Sequence, residues 1–265
     1  RVTVYCTTDN PGEYDGVTYI SNNHFNPMDV FDILIVWRSI DTVDTFDFKA
    51  RKILLDLHDV VKDEVSTNVL QKVSKICVKS KFHASQLGNI DTEKYVVIPN
   101  GGFKEEIKCE KDPNYLIYAS SYDRGLPYML KWGYPKIKEK FPNVYLNIFY
   151  GWDLFDKYNP DTEDVRLYKN LVLELMSQEG VKDCGRISQE QLLKEKAKAS
   201  IHYYVGDFQE IDCISVRESV SQHTIPVVSD ECVVFREKEY CIRIEGDPHI
   251  KETHIRGAEK IIEIL

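Results

Sequence analysis

Short apolar runs recur along the first hundred or so residues, separated by polar stretches that suit turns or short helices. Val2 to Cys6, Ile33 to Trp37, Ile53 to Leu57, Ile76 to Lys79 and Val96 to Ile98 are short and partly β-branched, as buried parallel strands are. In the second half the alternation becomes regular. The pattern there predicts strand Tyr115 to Ala119, a helix over about Gly125 to Phe141, strand Val144 to Tyr150, a helix over about Glu163 to Gln178 and strand Val181 to Cys184. It continues with helix Gln189 to Ala199, strand Ile201 to Tyr204, helix Ser215 to His223, strand Ile225 to Val228 and a last helix from about Lys251 to Ile264. Strands alternating with helices in this way imply α/β domains built on doubly wound parallel sheets, with ligands at the carboxyl ends of the strands. The turn cluster Asn100-Gly101-Gly102, directly after Val96-Val97-Ile98-Pro99, predicts a domain boundary just beyond it. The expected division is 1–101, 102–250 and a terminal helix over 251–265.

Composition narrows the class. A chain of 265 residues, 43% hydrophobic and 29% charged, can bury one large or two modest cores. A net charge of -9 disfavours a protein that coats nucleic acid, so no nucleic-acid partner is expected, while a local basic pocket stays open. The seven cysteines are odd in number and widely spaced with no C-x-x-C pair, which suggests neither a zinc ribbon nor a disulfide framework. Apolar runs such as Ile33 to Trp37 fall far short of the roughly 20 residues that span a bilayer, and the opening Arg1 to Cys6 does not read as a signal peptide. The expectation is a cytoplasmic protein without a transmembrane segment.

The chemistry concentrates in Glu210-Ile-Asp-Cys-Ile-Ser-Val-Arg-Glu218. Backbone N–H groups at the entry of the helix that Ser215 begins, near Cys213, Ile214 and Ser215, attract anions, a diphosphate among them. About one turn inside, the Glu218 carboxylate can accept two hydrogen bonds from a vicinal diol such as a ribose, and Glu210 outside the helix can reach a second sugar. The plain alternative is that two glutamates at this spacing are surface acids of a chain with 43 acidic residues. Ser120, Ser121 and Arg124 follow a strand where a helix begins, which is phosphate-binding chemistry, although Ser121 or Asp123 as a simple cap accounts for part of it. Gly151 after one strand and Gly185-Arg186-Ile187 after another permit close approach of a ligand, or are turn glycines beside core aromatics. In the first half, Arg38 ends one predicted strand, with His58 and Asp59 just past the end of another. The histidines show no metal-ligand spacing, and no G-x-G-x-x-G or Walker loop is present, so no metal or bound cofactor is expected.

Taken with Thr224-Ile-Pro-Val-Val-Ser229, the two-glutamate segment resembles the signature of retaining GT-B glycosyltransferases of the GT4-like group. Ile98-Pro-Asn-Gly101 is similar to their interdomain hinge, and Ser-Ser-x-Asp-Arg-Gly125, Tyr150-Gly-Trp152 and Gly185-Arg-Ile187 recur in the family's order. The resemblance implies two Rossmann-like domains facing a cleft, the first lacking its opening βα unit. It implies transfer of a hexose-like unit from a nucleoside diphosphate sugar to a hydroxyl of a glycan, lipid or small molecule, with retention and without metal. Arg124, Ser120, Ser121 and the helix entry would hold diphosphate, Glu218 the ribose, the backbone at Arg186 and Ile187 the base, with Gly151 beside it. Glu210, His58 and Arg124 would serve the reacting sugar, and Arg38, His58 and Asp59 the acceptor side. Where many relatives carry Gly-Arg and Arg-Lys pairs, this chain has Ser120-Ser121 and Arg124 alone, so phosphate binding leans on Arg124. The resemblance also implies that the last helix packs back toward the first domain. The missing unit keeps open the alternative of a non-catalytic GT-B module, one among further domains of a longer polypeptide, that binds a sugar nucleotide or a protein.

Overall fold

In the computed structural model, which describes residues 1–61, 64–102 and 106–265, the chain forms two compact units. The first comprises Arg1–Lys79 and Ala84–Ile98, the second Ser80–His83 and Pro99–Leu265. The division expected between Gly101 and Gly102 compares with units that divide at Ile98 and Pro99.

In the first unit, strand β1 (Val2–Cys6) pairs parallel with β3 (Val17–Ser21), which also pairs antiparallel with β2 (Gly12–Tyr14). The turn joining β2 and β3 is Asp15-Gly16 with φ of 51° and 77°, the two positive φ values a tight hairpin requires. A second, all-parallel sheet runs β4 (Val30–Trp37), β5 (Lys49–Asp56), β6 (Lys75–Val78) and β7 (Tyr95–Val97) in that order. Between these strands lie helices α1 (Ile40–Thr45) and α2 (Thr67–Lys72), begun by Ser39 and Ser66, whose hydroxyls accept from Thr42 N and Val69 N. Leu34, Val36, Val43, Leu55, Val69, Ile76 and Val78 fill the core between sheet and helices. Helix α3 (Lys81–Ser85) falls where the units divide.

The second unit is a six-stranded parallel sheet of β8 (Asp112–Tyr118), β9 (Tyr145–Ile148), β10 (Val181–Asp183), β11 (Ala199–Tyr204), β12 (Ile225–Ser229) and β13 (Ile242–Ile244). Its spatial order, β10-β9-β8-β11-β12-β13, reverses direction between β8 and β11. Loops after those two strands therefore leave in opposite directions and open a crevice at their carboxyl ends. The helix expected over Gly125 to Phe141 comes in three parts: α4 (Leu126–Tyr128), a π-helical segment (Met129–Gly133) and α5 (Tyr134–Lys140). Pro135 explains the break, since it has no N–H to continue the ladder. Helices α6 (Asp153–Tyr158), α7 (Glu163–Met176), α8 (Gln189–Lys198), α9 (Ile214–Ser221) and α10 (Lys251–Ile264) complete the unit. The acidic stretch Asp156 to Asp164 is thus helical at both ends. Ser188 opens α8 with a full capping box to Gln191. The terminal helix α10 belongs to the second unit, packing mainly on α5 and the π-helical segment with Ala258 and Ile261 buried. No described helix is long and apolar enough to cross a membrane.

Candidate functional site

At the reversal point of the second sheet, the backbones after β8 and β11 come together. A Cβ on Gly125 would stand 2.8 Å from Gly206 Cα, and the φ of 81° at Gly125 is one that a glycine adopts freely. This close approach fixes the loop Ser120 to Arg124 against the loop that carries Glu210. Tyr118, wholly buried at the end of β8, braces the first loop by donating to Ser121 O at 2.6 Å.

Arg124 Nη1 reaches Glu210 Oε1 at 2.9 Å, and the Tyr204 hydroxyl donates to the same oxygen at 2.7 Å. The guanidinium also lies over the Phe208 ring, 3.8 Å from its centroid. Burial is the largest single influence and works against the arginine's charge, but Glu210 and the other acidic groups around it together hold its pKa above the ordinary arginine value. Arg124 keeps about a third of its side chain exposed, while Glu210 is almost covered, so the guanidinium is the part of the pair that faces solvent.

Helix α9 starts just beyond, with Cys213 as N-cap and no side-chain hydrogen bond to its first N–H groups. The N–H groups of Ile214 and Ser215 remain open to an acceptor such as an anion, while that of Val216 lies against the Cys213 sulfur. Cys213 itself is buried, which pushes its thiol pKa well up and makes it a packing residue. Ile214 is exposed beside it. The Ser215 hydroxyl donates to Ala119 O at 2.6 Å, tying the head of α9 to the end of β8, next to buried Ser120.

Glu218 lies further along α9, 4% exposed, and both its oxygens have partners. Lys196 Nζ donates to Oε2 at 2.6 Å and Gln189 Nε2 to Oε1 at 2.6 Å, two side chains from one face of α8. Lys196 is fully buried and also donates to Ser215 O and Oγ at 2.9 and 3.0 Å. Burial pushes its pKa down, against the pull of Glu218. The two glutamates therefore share no partner: Glu210 belongs to an arginine and a tyrosine, Glu218 to a lysine and a glutamine.

Gly151 (φ 82°) and Arg186 meet as the motif spacing suggests. A Cβ at Gly151 would lie 3.1 Å from Arg186 N, Tyr150 N donates to Gly185 O at 3.0 Å, and the Arg186 guanidinium lies over the Tyr150 ring. Ile187 packs with Tyr115 and Ile117 on the other face of the sheet's end. The loops are further pinned by Tyr122, whose hydroxyl donates to Asp183 Oδ1 at 2.5 Å and accepts from Gly151 N at 3.0 Å. Asp212, between the two glutamates, accepts from Arg217 Nε at 2.8 Å and from Asn100 N at 2.7 Å.

In the first unit, Arg38, His58 and Asp59 gather at the carboxyl ends of β4 and β5. Arg38 Nη1 meets Asp59 Oδ1 at 3.1 Å and its guanidinium covers the Trp37 ring at 4.6 Å, while His58 Nε2 lies 3.1 Å from Asp56 Oδ2. The sequence alone did not point to the side chains these residues meet: Lys196, Gln189, Tyr204, Phe208, Tyr122 and Asp56. Among the described residues no cluster of His, Cys, Asp and Glu suited to a metal ion is found. A cavity of about 550 Å³ lies apart from these groups, lined by Asp230, Arg236, Cys241, Arg243 and Glu245.

No family model matches the sequence, and no curated protein matches it. Solved structures do match. The pneumococcal O-GlcNAc transferase GtfA, in complex with UDP and GlcNAc, superposes with a TM-score of 0.61 at 13% identity over 85% of this chain and 47% of its own. Anabaena Alr3699/HepE, in complex with UDP and glucose, gives 0.58 at 12% identity over 88% of this chain and 75% of its own. The α,α-trehalose-phosphate synthase (UDP-forming) from Burkholderia vietnamiensis gives 0.61 at 9% identity over 91% and 65%. The fold is GT-B. At these identities the likeness establishes GT-B architecture, and the chain spans about half the length of the first structures it matches.

Proposed function

We propose that this GT-B chain binds a nucleoside diphosphate sugar in its second unit and serves a retaining, metal-independent transfer of a hexose-like sugar to a hydroxyl. The observation that carries the reading is the meeting of Arg124 and Glu210 at 2.9 Å at the sheet's reversal point, beside the uncapped head of α9. Arg124 and the first N–H groups of α9, with Ser120 and Ser121, supply positive charge and donors for a diphosphate. Gly151 and the Arg186–Ile187 backbone line the base side. Glu218 takes the ribose, its Oε1 exchanging exposed Gln189 for a sugar hydroxyl while Lys196 keeps Oε2. Glu210 orients the donor sugar.

In the transfer, the bond between the anomeric carbon and the phosphate oxygen breaks, and a bond to the acceptor oxygen forms on the same face. The leaving phosphate takes the acceptor proton, so no side-chain base is required. Arg124 stabilises the charge that grows on that phosphate. Arg38, His58 and Asp59 serve the acceptor side and the transferred sugar. Solved structures of the same fold hold UDP, which supports the donor class.

The test is calorimetric titration with UDP, GDP and ADP, followed by incubation with a panel of labelled sugar nucleotides. Arg124→Ala should weaken diphosphate binding by about tenfold or more, the worth of one charge-assisted hydrogen bond. Glu210→Gln should bind the nucleotide and lose transfer. Binding without turnover of any donor supports a binding module instead, and no binding of any diphosphate overturns the reading.

A further inference from the structure

The first unit contains a hydrogen-bonded chain that the donor site does not use. Asp56, the last residue of β5, accepts from Lys79 Nζ through Oδ1 at 2.6 Å and meets His58 Nε2 through Oδ2 at 3.1 Å. Lys79 is 4% exposed, whereas Asp56 and His58 keep about a quarter of their side chains open. The backbone holds Asp56 as firmly as its side chain does: Arg38 N donates to Asp56 O at 2.8 Å, and Leu57 N to Cys77 O at 3.0 Å. Trp37 stands edge-on to the His58 ring with centroids 5.5 Å apart, which sets the plane of the imidazole.

The backbone beside this chain is strained. Arg38 has φ of 68°, and Ser39 N donates to Trp37 O at 2.9 Å across it, a three-residue turn of the rare positive-φ kind. A non-glycine residue held there persists only where surrounding contacts fix it, and such residues gather at functional sites. Arg38 is fixed by its bond to Asp56 O, its pairing with Asp59 and its stacking on Trp37.

We propose that Asp56, held by buried Lys79, is the positioning residue of His58: it keeps a proton on Nε2 and leaves Nδ1 as the ring nitrogen that accepts a hydrogen bond from a ligand hydroxyl. An ionised carboxylate is an acceptor only, so the bond to Asp56 requires the proton on Nε2. Lys79 keeps Asp56 ionised by charge and hydrogen bond. Arg38 and Asp59, paired beside the ring, add donors and an acceptor for neighbouring hydroxyls, so the ligand class is a polyhydroxylated group such as a pyranose. That last step rests on the proposed sugar transfer, but the tautomer does not.

The experiment is nitrogen-15 NMR of the whole chain labelled at histidine, with His58 assigned through His58→Gln. Wild type should show Nε2 protonated and Nδ1 bare in neutral His58. Asp56→Ala should give a mixture of tautomers, and Asp56→Asn, whose carboxamide oxygen still accepts, should restore the Nε2–H form. A wild-type Nδ1–H form overturns the proposal, and so does a tautomer ratio that Asp56→Ala leaves unchanged; should that variant fail to fold, the wild-type spectrum decides. In transfer assays Asp56→Ala should lower kcat/KM roughly tenfold, one hydrogen bond's worth, with Asp56→Asn near wild type. The expected tautomer in a protein that turns over no sugar nucleotide would sink the transfer reading and leave the positioning role intact.

Discussion

Arg124 and Glu210, 86 residues apart in sequence, meet at 2.9 Å because the sheet changes direction between the strands that carry them. The pair is half sealed: the carboxylate is buried and shared with Tyr204, the guanidinium reaches solvent over Phe208. Removing the arginine leaves a buried carboxylate with one tyrosine donor. Arg124→Ala should therefore destabilise the chain by roughly 1–3 kcal/mol, below the range for fully buried pairs because Arg124 is partly hydrated. Urea unfolding measures this, and Glu210→Gln, which keeps an acceptor for Tyr204, should be milder.

Lys196 and Glu218 form the more enclosed pair. Lys196→Met removes the lysine's bonds to Glu218, Ser215 O and Ser215 Oγ together and strands an acid that is 4% exposed. A loss of about 3–5 kcal/mol follows from breaking such a pair on one side. Adding Glu218→Leu should recover a large part of it, because two apolar groups bury without a stranded charge. If the double variant is no more stable than the single, the ion pair is not the origin of the loss.

How far these features were legible in the sequence depends on their range. Most parallel strands of both units stand in the apolar runs, β3 and β13 excepted, and the helix expected from about Lys251 to Ile264 spans those residues, because burial on a strand or one helix face leaves a local signature. The β2–β3 hairpin was overlooked although Asp15-Gly16 is a strong local signal, flanked by Tyr14 and Val17, which pair in register. The two glutamates and Arg124 were singled out from motif order. Their partners were not: Lys196 and Gln189 look like surface residues of a charged helix, and only the packing of α8 on α9 turns that face inward. Tyr204 likewise reads as a strand aromatic until Glu210 folds back six residues later.

Gly125 carries the geometry of the loop after β8. An alanine there would need φ of 81° and would drive its Cβ to 2.8 Å from Gly206 Cα, a backbone atom with no rotamer to give way. The φ strain costs about 1–3 kcal/mol and the overpacking a similar amount. Gly125→Ala should lower Tm by several degrees, whereas Gly101→Ala, which meets nothing within 4 Å, should not. Equal Tm for the two would mean that the loops after β8 and β11 do not approach as closely as described.

Acid should weaken the two units in separate windows. His202 in the second unit is wholly buried, its Nδ1 2.8 Å from Ser219 Oγ, and burial pushes its pKa well below the ordinary value. The unfolded chain then binds a proton that the folded chain refuses, so stability falls as pH drops below about 6.5, the unfolded histidine's pKa. Buried His254 acts in the same direction. Asp56 in the first unit differs in kind. Burial raises its pKa, but the bonds from Lys79 and His58 outweigh this and hold it below the ordinary aspartate value. Its contribution is present above the unfolded pKa of about 3.9 and is lost as pH falls through the folded value, in a window lower than that of His202. Urea midpoints measured across pH should therefore show a first loss on the histidine side of neutrality and a second below about pH 4. His202→Gln should shrink the first limb to the share that His254 supplies and leave the second, and Asp56→Asn should shrink the second and leave the first. A histidine variant that leaves the upper limb unchanged would show that neither burial nor the Ser219 bond keeps His202 neutral.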